Sequence, residues 1–415
     1  MPAPTTSVLL HNGLLIDGTG GDPVGDGAVL VEDGRVRWAG RTGDGPTTTA
    51  ATRRIDVRGN TILPGFIDCH VHMAAPGTAM SHAEIAALPH SLLTFLAGPR
   101  MKQTLEAGVT TARDLGGADA GHRRAVESGL LVGPRLQVAV SMLSPTGGHG
   151  DFRPGNDHRP NVNAMGRLAD GPAECRRAVR EVLRQGADCV KIAATGGVWS
   201  PTDQPDDDGF LEDEIRTITE IAAGHRGKKV AAHAQGRGGI LNAVRGGVAS
   251  VEHGYEIDDE AIGLMLERGT FLVPTLTTAQ TDPDPGKAAP WAYAKKKHWQ
   301  DVARRHIPRA IERGVRIAMG TDCGIAEHGT NLRELGHLVD CGMTPMGALR
   351  AGTAEAAELL GLAAEIGTLE HGKRADVVIA RGNPLDDIRA LGDPANILVV
   401  MKDGVAYKDV EGLTA

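Results

Sequence analysis

The middle of the chain alternates between short apolar runs and amphipathic segments. The apolar runs are rich in valine, isoleucine and alanine, which predicts buried strands. The segments between them, such as residues 173–185 and 212–225, predict helices, and several are followed by a glycine before the next strand. The long polar stretch 287–312 predicts one further, extended helix.

Eight apolar runs follow one another in this way, at residues 62–72, 109–114, 136–141, 188–193, 229–233, 249–253, 270–275 and 315–322. Strands that alternate with helices form parallel sheets with helices on their faces. Eight such units over about 300 residues are typical of a (β/α)8 TIM barrel, whose site lies at the C-terminal ends of the strands. We therefore expect an α/β fold with a barrel over residues 63–362.

The two ends of the chain carry a different pattern, of short strands joined by tight turns. Asp33-Gly34 and Asp403-Gly404 each separate two strand-like runs, which is a strong hairpin signal. Neither end alone has enough strands for a stable sheet. We expect residues 1–62 and 363–415 to form one small β-sandwich, with the barrel inserted between its two halves.

The composition excludes several classes of protein. A net charge of −8 argues against a nucleic-acid partner, and no apolar run is long enough to span a membrane. The first seven residues lack the features of a signal peptide, and the five cysteines form no Cys-x-x-Cys pair. These features predict a cytoplasmic protein that acts on a small molecule, and they leave a homo-oligomer open.

Residues that can bind a metal stand on five of the predicted strands. Alternate residues of a strand face the same way, so His70 and His72 point together from the end of the first strand. If the barrel forms, all the candidates point into one mouth, and they are His70, His72, Lys191, His233, His253 and Asp322. Taken singly, His233 could be a hydrogen-bonded core histidine, and Asp322 could cap the following segment.

Lys191 is the hardest of these residues to explain as ordinary structure. It lies between Val190 and Ile192 on a predicted central strand, where an unpaired charge is costly to bury. The lysine therefore loses its charge, pairs with an anion, or is chemically converted. Carbamylation by CO2 would give an anion with two oxygens, suited to bridging two cations.

At this point the chain resembles the amidohydrolase superfamily. The resemblance rests on residues 64–72 (PGFIDCHVH), 190–192 (VKI), 232–234 (AHA), 251–254 (VEHG) and 320–322 (GTD). Lys191 is similar to the lysine of the binuclear members, which is carboxylated and bridges two zinc ions. The resemblance implies two divalent ions, with His70, His72 and Asp322 on one and His233 and His253 on the other. A deaminase is less favoured, because Ala234-Gln235-Gly236 lacks the glutamate expected there.

A narrower resemblance is to the prolidase-like, ochratoxinase-like and imidazolonepropionase-related amidohydrolases. It rests on residues 144–150 (SPTGGHG), 252–255 (EHGY) and 328–335 (HGTNLREL). It implies that His149 and Tyr255 act on the substrate, with His328 as a further contact. The alternative is a loop histidine and a packing tyrosine. Residues 206–208, three aspartates, are interpreted as a solvated loop that could act as a lid.

The sequence thus predicts a hydrolase that cuts an amide or peptide bond next to a C-terminal carboxylate. The substrate classes are an Xaa-Pro dipeptide, an N-acyl amino acid or an ochratoxin-type amide. Two metal ions lower the pKa of a bridging water, and Asp322 carries its proton to the leaving nitrogen. His149 and Tyr255 assist as catalytic groups. The alternatives are a hydrolase of cyclic amides, carbamates or lactones, an imidazolonepropionase-like enzyme or deaminase, and a non-catalytic scaffold.

Overall fold

The computed structural model describes residues 7–75, 88–153, 165–200, 202–282 and 289–414. The chain divides into two compact units. The first unit comprises Met1–Asp68, Lys102–Thr111 and Gly329–Ala415, and the second comprises Cys69–Met101 and Ala112–His328.

The first unit is built on one mixed sheet to which both ends of the chain contribute strands. These strands are β1 (Ser7–Leu15), β2 (Val24–Glu32), β3 (Arg35–Arg41), β4 (Arg53–Asp56), β5 (Thr61–Pro64), β15 (Val377–Ala380), β16 (Ile397–Lys402) and β17 (Val405–Asp409). The order is β17-β16-β15-β5-β1-β2-β3, and β4 also pairs with β1. β15 pairs antiparallel with β5, so a strand from the C-terminal part of the chain lies directly beside a strand from the N-terminal part.

The turns of this sheet follow from the local sequence. Asp33 and Gly34 join β2 to β3 with φ values of 49° and 76°, the left-handed conformation that a tight hairpin turn requires. Apolar side chains from strands of both chain ends form the core, including Leu10, Val29 and Val377. The helices of this unit are α9 (Arg333–Asp340), α10 (Pro345–Ala351) and α11 (Ala354–Leu360).

The second unit contains the repeated strand–helix pattern. Three boundaries between the units fall inside elements, which are β6 (Phe66–Val71), α1 (His90–Glu106) and β7 (Val109–Asp114). The other strands are β8 (Arg135–Val138), β9 (Met142–Ser144), β10 (Gly166–Leu168), β11 (Val190–Ala193), β12 (Val230–Ala234), β13 (Ser250–His253) and β14 (Phe271–Val273). The helices are α2 (Ala120–Glu127), α3 (Gly171–Arg184), α4 (Glu212–Gly224), α5 (Arg237–Arg245), α6 (Asp259–Arg268), α7 (Leu276–Gln280) and α8 (Pro290–Glu312).

These strands pair in parallel, as the alternation of strands and helices predicts. β10-β9-β11-β12-β13-β14 form a six-stranded parallel sheet, and β6-β7-β8 form a second sheet. The predicted helices 173–185 and 212–225 correspond to α3 and α4, and the described part of 287–312 corresponds to α8. Residues 287 and 288 lie outside the described residues. No helix among the described residues is long and apolar enough to cross a membrane.

The strand pairings of the described residues do not close into one continuous eight-stranded ring. The predicted eighth strand, residues 315–322, is not a regular strand. It makes only a single bridge from Ile317 to Leu272, and Cys323 makes another to Val71. Asp322 has a φ of 59°, which interrupts any extended ladder at that residue. The predicted third strand also ends early, at Val138, because Val140 has a φ of 70°.

Candidate active site

The predicted metal-binding histidines lie together at the strand ends of the second unit. His70 and His233 each lie one residue before the end of their strands, β6 and β12, and His253 ends β13. Ring centroids are 5.1 Å apart for His70 and His253, and 4.6 Å apart for His233 and His253. His72, one residue beyond β6, has its ring 5.3 Å from that of His70. The fold therefore gathers four imidazoles from three segments that are far apart in the sequence.

Two of these rings each have a hydrogen-bond acceptor beside their Nδ1 nitrogen. His70 Nδ1 lies 2.9 Å from a carboxylate oxygen of Glu252, and His72 Nδ1 lies 2.9 Å from the Gly116 carbonyl. If both Nδ1 atoms carry the proton, each Nε2 presents a lone pair. An imidazole that binds a metal through one nitrogen commonly donates its other N–H to such an acceptor.

His233 and His253 are oriented in a similar way. His233 donates through Nε2 to the Gly196 carbonyl at 2.9 Å, which leaves Nδ1 for another partner. His253 Nδ1 lies 2.7 Å from Thr275 Oγ1, which leaves Nε2.

Asp322 supplies a carboxylate to the same cluster. Its Oδ1 lies 3.6 Å from His70 Nε2 and 3.3 Å from His72 Nε2. One ligand atom from each of His70, His253 and Asp322 lies within 4.8 Å of the others, and all three residues are buried. Imidazole nitrogen and carboxylate oxygen are common ligands of zinc. This donor set fits a divalent metal ion.

The protonation of the histidines also suits a metal site. Burial holds the pKa of His70, His233 and His253 well below the usual histidine value, reinforced by neighbouring cations and histidines. These three rings are therefore neutral at neutral pH and can bind a cation. Burial also lowers the pKa of His72, but its bond to Asp322 and the negative charge of Asp322 outweigh that effect and raise it.

Lys191 lies on β11 and is 2% exposed. Its Nζ has no hydrogen-bond partner among the residues that the structure describes. Burial lowers its pKa to about 8, although the charges of Glu252 and Asp322 act in the opposite direction. A buried amine that satisfies no acceptor is costly as ordinary structure. The Lys191 amine therefore lacks the compensation that a buried amine normally has.

A buried ion pair, Arg113 with Glu252, supports the cluster and was missed in the sequence. The Arg113 guanidinium donates to one Glu252 oxygen at 2.9 Å and to the Cys69 carbonyl at 2.6 Å. The other Glu252 oxygen faces His70. Arg113 is 1% exposed on β7, so the argument that singled out Lys191, a charge within an apolar strand, would have found it too.

Three non-glycine residues in or beside the histidine cluster have a left-handed backbone conformation. His253, Thr275 and Asp322 have φ values of 73°, 50° and 59°. Such conformations cost free energy and cluster at functional sites. Close packing beside them depends on Gly320, where a Cβ would lie 2.9 Å from the His70 Cβ. No periodicity or composition signal in the sequence predicts these conformations.

The predicted substrate residues His149 and Tyr255 lie beside the metal-binding histidines. The ring of His149 stacks on that of His233, with centroids 4.2 Å apart and planes 18° apart. Gly197 makes room for it, since a Cβ there would lie 2.2 Å from His149 Cε1. The Tyr255 ring lies 5.5 Å from that of His253, and its hydroxyl lies 3.3 Å from Thr275 Oγ1.

His328 and the three aspartates occupy less central positions. His328 is buried, and its Nε2 lies 3.4 Å from the carbonyl of His72. Burial, with a contribution from Arg100, lowers its pKa to about 4. Residues 206–208 are exposed, and the Asp207 carbonyl accepts a hydrogen bond from the Gly196 amide. Gly196 in turn accepts from His233, so this loop is connected to the cluster through backbone.

Parallel βα units with histidines, a lysine and a carboxylate at the strand ends define the class of metal-dependent α/β hydrolases. The chain matches the model of the Amidohydrolase family over residues 61–406 and therefore belongs to that family. The predicted superfamily is confirmed. The structural neighbours are amidohydrolases of the TIM-barrel type, which supports the α/β architecture of the repeated units.

One characterised relative and two solved structures are similar to this chain over nearly its whole length. The chain is 33% identical to the ochratoxinase of Aspergillus niger, over 96% of this chain and 86% of that protein. A crystal structure of a prolidase complexed with N-methylphosphonate-L-proline has a TM-score of 0.91 and 35% identity, covering 97% of this chain and 100% of that one. A Xaa-Pro dipeptidase with bound methionine has a TM-score of 0.88 and 32% identity, with the same coverage. The prediction of a hydrolase acting on carbon–nitrogen bonds is confirmed.

Proposed function

We propose that the protein hydrolyses an amide or peptide bond next to a C-terminal carboxylate. The candidate substrates are Xaa-Pro dipeptides, N-acyl amino acids and ochratoxin-type amides. The observation that carries this proposal is the position of His149 and Tyr255, each in ring contact with a proposed metal ligand. The similarity to an ochratoxinase, a prolidase and a Xaa-Pro dipeptidase supports it.

The proposed cofactor is a pair of divalent ions, with zinc as the first candidate. His70, His72 and Asp322 would hold one ion, and His233 and His253 the other. Lys191, carbamylated by CO2, would bridge the two. The unpartnered Nζ of Lys191 and the low pKa values of three of the histidines support this assignment. When bound, such ions supply a hydroxide at neutral pH and polarise a carbonyl.

The residues of the chain supply the proton transfers and the orientation. Asp322 accepts the proton of the attacking water and delivers it to the leaving nitrogen, first as general base and then as general acid. His149 and Tyr255 donate hydrogen bonds, one to the oxygen on which negative charge develops and one to the substrate carboxylate. His328, behind His72, is a further substrate contact in this proposal.

We further propose how the whole chain is organised. Residues 63–362 form the (β/α)8 TIM barrel, and residues 1–62 and 363–415 form the two halves of a small β-sandwich. The shared sheet of N-terminal and C-terminal strands supports the second part of this assignment. The odd number of cysteines without a Cys-x-x-Cys pair supports a cytoplasmic location. Residues 206–208, next to the backbone that accepts from His233, could act as a lid, and a homo-oligomer is compatible with this organisation.

A substrate panel tests the proposed activity. Zinc-loaded protein would be assayed with N-acyl amino acids, Xaa-Pro dipeptides, their C-terminal amides and methyl esters, hydantoins and lactones. We expect kcat/KM to be highest for an acyclic amide with a free C-terminal carboxylate. A clear preference for hydantoins or lactones would overturn the proposal in favour of a hydrolase of cyclic substrates.

A further inference from the structure

Lys296 is a buried lysine that the proposed reaction does not use. It lies on α8 and is 4% exposed. Its Nζ donates a hydrogen bond to the carbonyl of Thr278, on the short helix α7. Burying an ammonium group is expensive unless nearby groups compensate for its lost hydration. The position of Lys296 therefore calls for a reason beyond packing.

Thr278 connects Lys296 to the proposed proton carrier. The Thr278 hydroxyl lies 2.9 Å from the Thr321 carbonyl and 3.4 Å from the Asp322 carbonyl, and it is the donor to both. Asp322 has a left-handed backbone, which is unfavourable for a residue other than glycine and has to be held by its surroundings. The Asp322 amide also donates to the His70 carbonyl at 2.7 Å. Thr278 thus completes the support of this strained residue.

A neutral side chain of α8 makes a similar hydrogen bond to a backbone carbonyl. Gln300, one turn further along α8, donates to the Thr281 carbonyl at 3.4 Å, which shows that a neutral side chain can hold this backbone. A charge at residue 296 is therefore not needed for the hydrogen bond alone. Burial lowers the pKa of Lys296 to about 8, while the carboxylates of Asp322 and Asp282 act in the opposite direction.

We propose that Lys296 is a positioning residue that, through Thr278, holds Asp322 in the conformation needed for proton transfer. The inference rests on the proposed function, in which Asp322 carries the proton. Lys296 itself touches neither substrate nor metal in this proposal. Its effect on the reaction is transmitted by the backbone of residues 321 and 322.

The test compares four single variants of the zinc-loaded protein. Lys296→Met removes the charge at similar length, and Thr278→Val removes the hydroxyl at similar shape. Thr278→Ser keeps the hydroxyl, and Lys297→Met removes the neighbouring, partly exposed lysine of α8, which pairs with Asp282. The substrate is whichever N-acyl amino acid the wild type hydrolyses in the panel. The measurements are kcat, KM, the melting temperature and the zinc affinity from competition with a chelator.

We expect Lys296→Met and Thr278→Val to lower kcat by about 10- to 100-fold, because a small displacement of a reacting group is that costly. KM should stay within about twofold, since the loss concerns the transition state alone. Zinc affinity should fall by about tenfold or more, because Asp322 is a proposed ligand. Thr278→Ser and Lys297→Met should match the wild type. The double variant Lys296→Met/Thr278→Val should lose no more activity than the worse of its two single variants, because both substitutions break the same connection.

Several results would overturn the inference. One is an unchanged kcat and zinc affinity in folded Lys296→Met and Thr278→Val, even with a lower melting temperature. Another is multiplicative losses in the double variant. If Lys296→Met does not fold, Thr278→Val decides the matter. Asp322→Asn in the same assay separates the role of Lys296 from that of Asp322: if it is inactive while the other variants are normal, only the role of Lys296 fails. An active Asp322→Asn would instead mean that the proposed role of Asp322 as proton carrier fails, whereas the substrate panel tests the proposed activity itself.

Discussion

His70 Nδ1 lies 2.9 Å from a carboxylate oxygen of Glu252, and both side chains are almost completely buried. The other oxygen of Glu252 is bonded to the guanidinium of Arg113. The carboxylate therefore has two tasks, which are to orient the proposed ligand His70 and to neutralise a buried cation. Through these two contacts, Glu252 links the proposed metal ligand His70 to the stability of the surrounding strands.

Glu252→Gln should impair both tasks at once. Losing a group that orients a metal ligand typically costs about 10- to 100-fold in metal affinity or activity. Arg113 would keep its charge without a partner, and an uncompensated buried charge costs about 3–5 kcal/mol of unfolding free energy. Chelator competition and urea denaturation would measure the two effects. Glu260→Gln, which disrupts exposed pairs with Arg237 and Arg245, is the matched control and should cost at most about 1 kcal/mol. Equal effects of the two substitutions would contradict this role of Glu252.

Asp322→Asn should leave the protein folded but remove most of its turnover. Asparagine can still offer an oxygen to a metal ion, but it cannot carry a proton. General acid–base assistance is worth about 10²–10⁴-fold, so kcat should fall by that order or more. The measurement is kcat at saturating substrate, with zinc content determined on the same sample. A decrease of less than about tenfold would show that another group shuttles the proton.

Tyr255→Phe should distinguish substrates by their charge. If the hydroxyl binds the substrate carboxylate, its loss removes a hydrogen bond to a charged group, worth roughly 1.5–3 kcal/mol. This corresponds to a decrease of about 10- to 150-fold in kcat/KM for substrates with a free carboxylate. The matching methyl ester should be affected much less. Equal losses for the acid and the ester would assign Tyr255 to the oxyanion or to packing.

Much of the architecture could be predicted from the sequence because it depends on local patterns. Alternating apolar runs predicted the parallel strands, and α3, α4 and α8 appear where amphipathic segments predicted helices. Lys191, His233 and His253 stand on adjacent strands of one parallel sheet, and His70 stands on a strand of the other sheet. The family could be recognised from the same residues.

The remaining features depend on contacts between segments distant in the sequence. The eighth predicted strand makes a single bridge, and no hydrophobic pattern encodes the left-handed backbone of Asp322 at its end. The partners of the histidines, such as Thr275 and Gly196, are chosen by the three-dimensional packing. In the sequence, Lys296 is an ordinary lysine of a polar helix, and only its burial in the structure distinguishes it from the partly exposed Lys297 next to it.

Lys191→Ala should abolish the bridge between the two proposed metal positions. The folded variant should retain fewer than two zinc ions per chain and lose its amidase activity, because no anion remains between the cations. Wild-type protein prepared with ¹³C-bicarbonate should show a carbamate carbon signal that is absent from the variant. Unchanged metal content and activity would show that Lys191 is an ordinary buried lysine.

The most direct test of the two-metal hydrolase is a zinc titration of the metal-free protein. Bound zinc per chain and hydrolysis of an N-acyl amino acid would be measured on the same samples. We expect hydrolysis to rise with added zinc and to reach its plateau at two bound ions per chain. A plateau at one bound ion, or hydrolysis by the metal-free protein at the same rate, would contradict it.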